Sequence, residues 1–466
     1  MTLKERYNLV FFLFAAIITA YFIYGLRLPF FYDMEYIASV ADYIYKHDFQ
    51  SIINPLNDNG TPPLYSIYIA SLWKIFGKSL WVAHLGIFPF FVGLLYQFYQ
   101  FSLRFISKRF ALVALILLIV DPSFSTQFLL MGYDIIIVFL FLWALNSIYT
   151  GKLTPLIIST VLIPLLNLRG FSIVVSLFMI DIYINHRYRI GSLLYGIIRY
   201  LPSVIILIFW LGYHYNIQHW YAVSPANTAI HHIDSSLWIL KNTFFEAFAF
   251  ISNGRVFILI AILLLLLLNK NNLSKDKRVI QLVIVASLSI IPFILIFTPM
   301  RYPMGPRYFM IIYPLMYLFF VLLLEESNLK HKIALLLITI SLLFASNIWT
   351  NPYPYANSWD SSLKVISYFN NQEKLLQYAK ENNWHCETVL STFPLHKSLA
   401  NNYVTNNKSI CFKEYNGKAI QKGDYILYSN IYNNLELRKP ENRPKNSHLV
   451  LTIKEYPSWI KLYKVE

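Results

Sequence analysis

The sequence predicts an all-α polytopic membrane protein of about eleven spanning helices, with a small C-terminal α/β domain outside the membrane. Three observations carry that expectation. Of the 466 residues, 57% are hydrophobic and only 14% charged, against roughly a quarter charged in soluble domains. The apolar residues are gathered into blocks, among them ALVALILLIV at 111–120 and AILLLLLL at 261–268. Blocks of about twenty such residues match ~30 Å of hydrocarbon, and lipid offers the backbone no partners, so they must be helical. Residues 350–466 then change character: they are rich in Asn, Lys, Glu and Tyr and hold no spanning run.

The elements follow in order from the distribution of Lys and Arg. With Lys4 and Arg6 cytoplasmic, a first helix over about 8–26 exits near Arg27. It is longer than a signal-peptide core and shows no small-residue cleavage site, so it reads as a retained span. A long outside loop, about 27–78, follows. The second helix returns toward Arg104, Lys108 and Arg109, the third goes out to Asp121-Pro122-Ser123, and the fourth returns to Gly151-Lys152. The fifth and sixth, about 153–168 and 170–185, form a hairpin ending at His186-Arg187-Tyr188-Arg189. The seventh, about 191–213, leads to a second outside loop near 214–245. The eighth returns to Lys270, Lys275, Lys277 and Arg278, and the ninth goes out to Pro299–Arg307. The tenth returns to Lys330 and Lys332, and the eleventh, about 333–349, exits.

The densest basic clusters all fall on the cytoplasmic side of this path. The net charge of +15 therefore reads as topology, and nucleic acid is not an expected partner. Parity places the tail outside, dividing the chain into a membrane domain, 1–349, and an extracytoplasmic domain, 350–466. In the tail, Gln372–Asn382 has helical spacing. Thr388–Leu390, Tyr425–Tyr428 and Leu449–Ile453 read as strands, the last pairing with Trp459–Tyr463 across a Pro-Ser turn. Cys386 and Cys411 both lie here, in an oxidising compartment where a disulfide is allowed, though sequence does not supply its geometry.

The candidate chemistry lies on the outer side. Asp33 and Glu35 stand just beyond the first helix in the aromatic run Pro29–Tyr36. Carboxylates at a membrane boundary are partly desolvated, which raises their basicity and suits a general base; a solvated loop acid is the plain alternative. Asp134, at the outer start of the fourth helix, is an ionisable group at membrane depth, where charge is costly and tends to carry a task. An acid favoured by the helix N-terminus is the other reading. Asp121, before Pro122, reads as a helix stop.

Arg169 tips the hairpin between the fifth and sixth helices, and Arg301 and Arg307 flank the loop before the tenth. Outside arginines run against the topology rule. Their forks bind phosphate oxygens in pairs and never lose charge, although a lipid headgroup would also account for them. His231, His232 and Asp234 form a metal-site fragment with no further ligand in view, so no cofactor is required and a divalent metal stays open.

In their order, these segments resemble the GT-C superfamily of polyprenyl-phosphate-dependent glycosyltransferases, which includes the protein O-mannosyltransferases and the lipid A aminoarabinose transferase. Tyr32-Asp33-Met34-Glu35 is similar to the first-loop acidic motif of that family. Thr61-Pro62-Pro63-Leu64-Tyr65 resembles the segment before its second helix. Asp121-Pro122 with Gly132-Tyr133-Asp134 is similar to its third-to-fourth helix turn, and Arg307-Tyr308-Phe309 with Tyr313-Pro314 to its Arg-Tyr…Pro helix. Each motif is short, and the likeness rests on their shared order over most of the membrane part. Met34 separates two acids that are often adjacent in the family, and Thr61 stands where His or Lys frequently precedes the prolines.

The resemblance implies an inverting transfer. Asp33 would deprotonate an acceptor hydroxyl or amine, which attacks the anomeric carbon of the sugar as polyprenyl phosphate leaves. Arg301 or Arg307, with Arg169, would neutralise the departing phosphate, while Asp134 orients acceptor or base and Glu35 shares the acidic motif. The implied partners are a polyprenyl-phosphate sugar and a lipid, protein or glycan acceptor, at a bacterial inner membrane with the N-terminus cytoplasmic. A lipid-linked sugar transporter or flippase is the rival outside enzymology; such proteins usually carry mid-membrane charge and repeat symmetry, absent here. A polysaccharide polymerase or ligase is the enzyme rival. Those typically have one large outside loop between late helices, whereas this chain places its bulk in the first loop and the tail.

Overall fold

The computed structural model describes residues 15–466 apart from 56, 187–189, 226–235, 269–275, 301–303, 352–357, 385–388, 393, 396, 401, 406–410, 415–421 and 432–444. Helices dominate, with one small sheet at the C-terminal end. The first half runs through α1 (Ala15–Gly25), α2 (Asp33–Lys46), α3 (Leu64–Phe76), α4 (Leu80–Ser102) and α5 (Lys108–Val120). It continues with α6 (Pro122–Leu129), α7 (Asp134–Thr150), α8 (Leu153–Leu166) and α9 (Gly170–Asp181). The second half holds α10 (Ile190–Gln218), α11 (Ser236–Ile251), α12 (Arg255–Leu268), α13 (Lys277–Phe297), α14 (Tyr313–Glu326) and α15 (Lys332–Ala345). Among the described residues α4, the Gly196–Gln218 part of α10, and α13 are long and apolar enough to cross a membrane. Counting each of the bent pairs α5–α6 and α11–α12 as one span raises the number to 5. The chain is thus built as an integral membrane protein.

Two departures from the sequence reading concern bends. Pro122 has no N–H to donate and disfavours helical geometry in the residue before it. Asp121 accordingly goes extended, ends α5 and caps α6, accepting from Ser123 N at 2.8 Å and Phe124 N at 3.1 Å. The stop is there, but the chain does not turn back; it continues into α6 at 61° and reverses only at 130–133. The second departure is α11, which begins inside the stretch read as the second outside loop and runs six residues past it. Asn253 and Gly254 take left-handed conformations after it, at φ 53° and 79°, and the chain bends by 85° into α12.

The stretch read as the first outside loop is itself helical. One face of α2 (Met34, Ile37, Ala41, Ile44) packs on Tyr65, Ile69 and Trp73 of α3, and both join the large apolar core of the membrane part. The tail begins with α16 (Val365–Glu381), two turns longer at its start than its sequence suggests because Val365, Tyr368 and Phe369 are buried there. The strands are β1 (Val389–Ser391), β2 (Lys397–Ser398), β3 (Cys411–Glu414), β4 (Tyr425–Ser429), β5 (Ser447–Glu455) and β6 (Ser458–Val465). They form one sheet in the order β2-β3-β1-β4-β6-β5. β1 runs parallel to β3 and β4, and β5 and β6 make the expected antiparallel hairpin. Cys411 is disulfide-bonded, and the chain's other cysteine, Cys386, lies outside the described residues.

A second core joins the tail to the membrane part. Leu28, Phe31, Tyr32, Leu129 and Leu130 pack with Trp359, Val365, Tyr368 and Phe369. Tyr32 OH donates to Ile431 O at 2.7 Å, and Phe30 N to Asn402 O at 2.9 Å. The segment leading into Asp33 is therefore held by the C-terminal unit.

Candidate active site

Asp33 is the first residue of α2, and its position follows from Tyr32. That residue adopts φ 52°, costly for a side chain with a Cβ. The ring stacks on Phe31 with centroids 4.1 Å apart and its hydroxyl is bonded, so the surrounding packing holds the turn. Arg307 arrives from a 3-10 turn, Pro306–Phe309, fixed by Tyr313 OH donating to Pro306 O at 2.8 Å. Arg307 Nη2 donates to Asp33 Oδ2. Its Nε lies 3.1 Å from Asp360 Oδ2 and 4.0 Å from Asp134 Oδ2.

Arg169 sits at the corner between α8 and α9. Its guanidinium lies 3.8 Å above the Tyr308 ring, donates from Nε to Asn167 Oδ1 and from Nη2 to Tyr133 OH (both 3.2 Å), and approaches Asp134 Oδ1 to 4.0 Å. Asp134 is buried with Oδ2 lacking a hydrogen-bond partner, a state that costs free energy unless something arrives to fill it. The cluster thus holds carboxylates from α2, α7 and the tail against guanidiniums from two loops.

A cavity of about 490 Å³ opens beside this cluster. Asp33, Asn167, Arg169, Tyr133 and Tyr308 line its polar end, and Ile296, Phe297, Met300 and Met304 an apolar wall. Asp33 is accessible over 47% of its side chain and is reachable from the cavity. Burial raises its pKa, but the charges of Arg307 and Arg169 outweigh that and hold it below the usual carboxylate value. At Asp360 the balance is reversed: burial prevails over Arg307 and lifts it above that value. On the opposite lip, Tyr36 OH donates to Asp58 Oδ1 at 3.3 Å, and His214 Nε2 meets Asp58 Oδ2 at 2.7 Å.

Of the residues singled out by sequence, Asp33, Asp134, Arg169 and Arg307 come together. Glu35 is two positions along α2 and is not among the cavity-lining residues, since residues i and i+2 of a helix face different ways. Arg301, His231, His232 and Asp234 lie outside the described residues. Among the described residues no group of three or more His, Cys, Asp and Glu forms a metal cage. Sequence reasoning missed Asp360, Asp58 and His214. Asp360 stands in a polar tail with no spacing that marks it, and only the buried Trp359 beside it is a local sign of a packed turn.

The membrane helices, the helices of residues 27–78 and the C-terminal sheet are arranged as in two solved structures. The crystal structure of ArnT from Cupriavidus metallidurans bound to undecaprenyl phosphate matches with a TM-score of 0.56 at 10% identity, over 97% of both chains. The structure of ArnT from the same organism in the apo state matches with a TM-score of 0.53 at 13% identity, over 77% of this chain and 68% of that one. No protein-family model matches the chain, and no curated protein does.

Proposed function

We propose that the protein is a membrane glycosyltransferase that moves a sugar from a polyprenyl-phosphate donor to an acceptor outside the membrane. The Asp33–Arg307 pair carries the reading: a proton acceptor lines a cavity with one polar end, which also holds Arg169, and one apolar wall, and a buried guanidinium is bonded to that acceptor. Similarity of fold to ArnT bound to undecaprenyl phosphate supports the choice of donor. The bent and short apolar helices fit a path of about eleven crossings with the N-terminus cytoplasmic, in a bacterial inner membrane. Residues 1–349 then form the membrane domain and 350–466 the outer one.

The transfer inverts the anomeric centre. Asp33 takes the proton of an acceptor hydroxyl or amine, the acceptor atom bonds to the anomeric carbon, and the carbon–oxygen bond to phosphate breaks. The leaving polyprenyl phosphate carries the electron pair, and Arg307 with Arg169 stabilises its charge, a contribution of several kcal/mol in sites of this kind. Arg301 belongs to the same arginine set. Asp33 and the donor phosphate compete for Arg307, so donor binding draws the guanidinium off Asp33 and frees the base. Asp134, whose Oδ2 makes no hydrogen bond, orients the acceptor or the base. No cofactor enters these steps.

The test is a panel of radiolabelled polyprenyl-phosphate sugars, with and without membrane extract as acceptor, given to purified protein and to Asp33→Asn. Polyprenyl phosphate release that needs both acceptor and Asp33 supports the reading. If no donor is consumed but labelled lipid changes leaflet in vesicles, the protein is a transporter instead.

A further inference from the structure

We infer that Asp360 is a positioning residue of this site: it holds Arg307 through Nε and keeps that guanidinium shared between two carboxylates instead of closed on Asp33. The inference rests on the transferase reading above. Asp360 Oδ2 meets Nε at 3.1 Å while Nη2 of the same fork donates to Asp33. A planar fork serves two carboxylates at once through different edges, and losing one concentrates its charge on the other.

The turn that carries the carboxylate is held in place from two sides. Trp359 is 1% exposed, and its Nε1 donates to Asn430 O at 3.2 Å, tying the turn to the sheet. Gln127 Nε2 of α6 donates to Asp360 O at 2.6 Å, and Asn253 Nδ2, at the α11–α12 corner, to Ser361 O at 2.9 Å. The site is therefore completed by a residue from the C-terminal unit, seated on the two bends of the membrane part.

The ionisable groups around Asp33 are Arg307 and Tyr308 before α14, Arg169 at the α8–α9 corner, Tyr133 and Asp134 at the start of α7, and Asp360. Removing the charge of Asp360 leaves the cations unchanged and takes away one anion. Arg307 then closes on Asp33 alone and is less available to the leaving phosphate.

Full-length protein in detergent decides the matter, by comparing kcat, donor KM and inhibition by polyprenyl phosphate for wild type, Asp360→Asn and Asp360→Glu. Asp360→Asn should lose about 10- to 100-fold in kcat/KM, with affinity for polyprenyl phosphate falling in step. Asp360→Glu should recover part of both. Asp360→Ser, smaller and still polar, carries the same test where the Asn variant does not fold. Unchanged polyprenyl phosphate affinity in Asp360→Asn or Asp360→Ser, at any rate, overturns the inference while leaving the transferase reading intact. A wild type that consumes no donor overturns both.

Discussion

Arg255 and Asp121, 134 positions apart, form a fully buried two-point ion pair, with Nε on Oδ2 and Nη2 on Oδ1, each at 2.9 Å. Tyr317 OH also donates to Asp121, Arg255 Nη2 donates to Ser123 Oγ at 2.6 Å, and the guanidinium lies 3.7 Å above the Tyr313 ring. The pair thus joins α12 and α14 to the α5–α6 bend, and the turn that carries Asp360 rests on that bend. Asp121→Ala or Arg255→Met leaves an uncompensated buried charge, and each should destabilise by about 3–5 kcal/mol. Thermal unfolding in detergent measures this. The double variant should lose less than the sum of the two.

Asp33→Asn should lower donor turnover by about 10²- to 10⁴-fold, the usual contribution of a general base. The side chain lines the cavity and Asn keeps its size, so the protein should still fold, its melting temperature lowered only by the lost charge pairing with Arg307. Turnover above a tenth of wild type, with release still acceptor-dependent, would remove Asp33 from the base role.

The pH dependence follows from the sign of the Asp33 shift. Its folded pKa lies below the usual carboxylate value, so the ion pair with Arg307 stays intact as pH falls through that range and breaks only below it. The stability it contributes is fully present above about pH 4, the unfolded value, and is lost as pH falls through the folded one. The acid limb of kcat/KM should accordingly lie below about pH 4 where the protein survives there. In Arg307→Gln the lowering charge is gone, and difference infrared titration should find the Asp33 carboxyl protonating at higher pH than in wild type.

The apolar helices and the C-terminal sheet were readable because each has a period or a run that composition exposes. Blocks such as 111–120 can only be helices in lipid, and the β5–β6 hairpin announces itself by two alternating runs around a proline. Asp33, Asp134, Arg169 and Arg307 were readable because charge at the outer ends of apolar helices is conspicuous. Asp360 was not, because the polar tail surrounding it hides one more acid, and its role comes from a contact across the fold. The same holds for Arg255, whose partner Asp121 reads locally as a helix stop and nothing more. Two bends, at 121–122 and 253–254, also escaped, since a proline or glycine marks a break but not the angle taken after it.

Gly60 tests the closeness of the two outer loops over the cavity. It has φ +85°, and a Cβ there would lie 2.3 Å from Ala222 O, a backbone atom that cannot step aside. Gly60→Ala should therefore push the loops apart, at a cost of about 1–3 kcal/mol. Donor KM should rise more than kcat falls, because the displaced residues line the cavity and are not among the charged cluster.

Arg169→Lys separates charge from geometry at the phosphate end. The arginine stacks on Tyr308, donates to Asn167 and Tyr133, and faces Asp134, all from one planar group. Lysine keeps the positive charge but is a compact point donor that cannot stack and bridge at once. If Arg169 only balanced charge, Arg169→Lys would work as well as wild type. If it grips a phosphate and aligns Tyr133, the variant should lose about 10- to 100-fold in kcat/KM, and Arg169→Gln more than that. Polyprenyl phosphate inhibition separates the two effects: product affinity should fall with kcat/KM across the series when the lost contact is to phosphate. A series in which activity falls while product affinity holds would assign Arg169 to support of the α8–α9 corner alone.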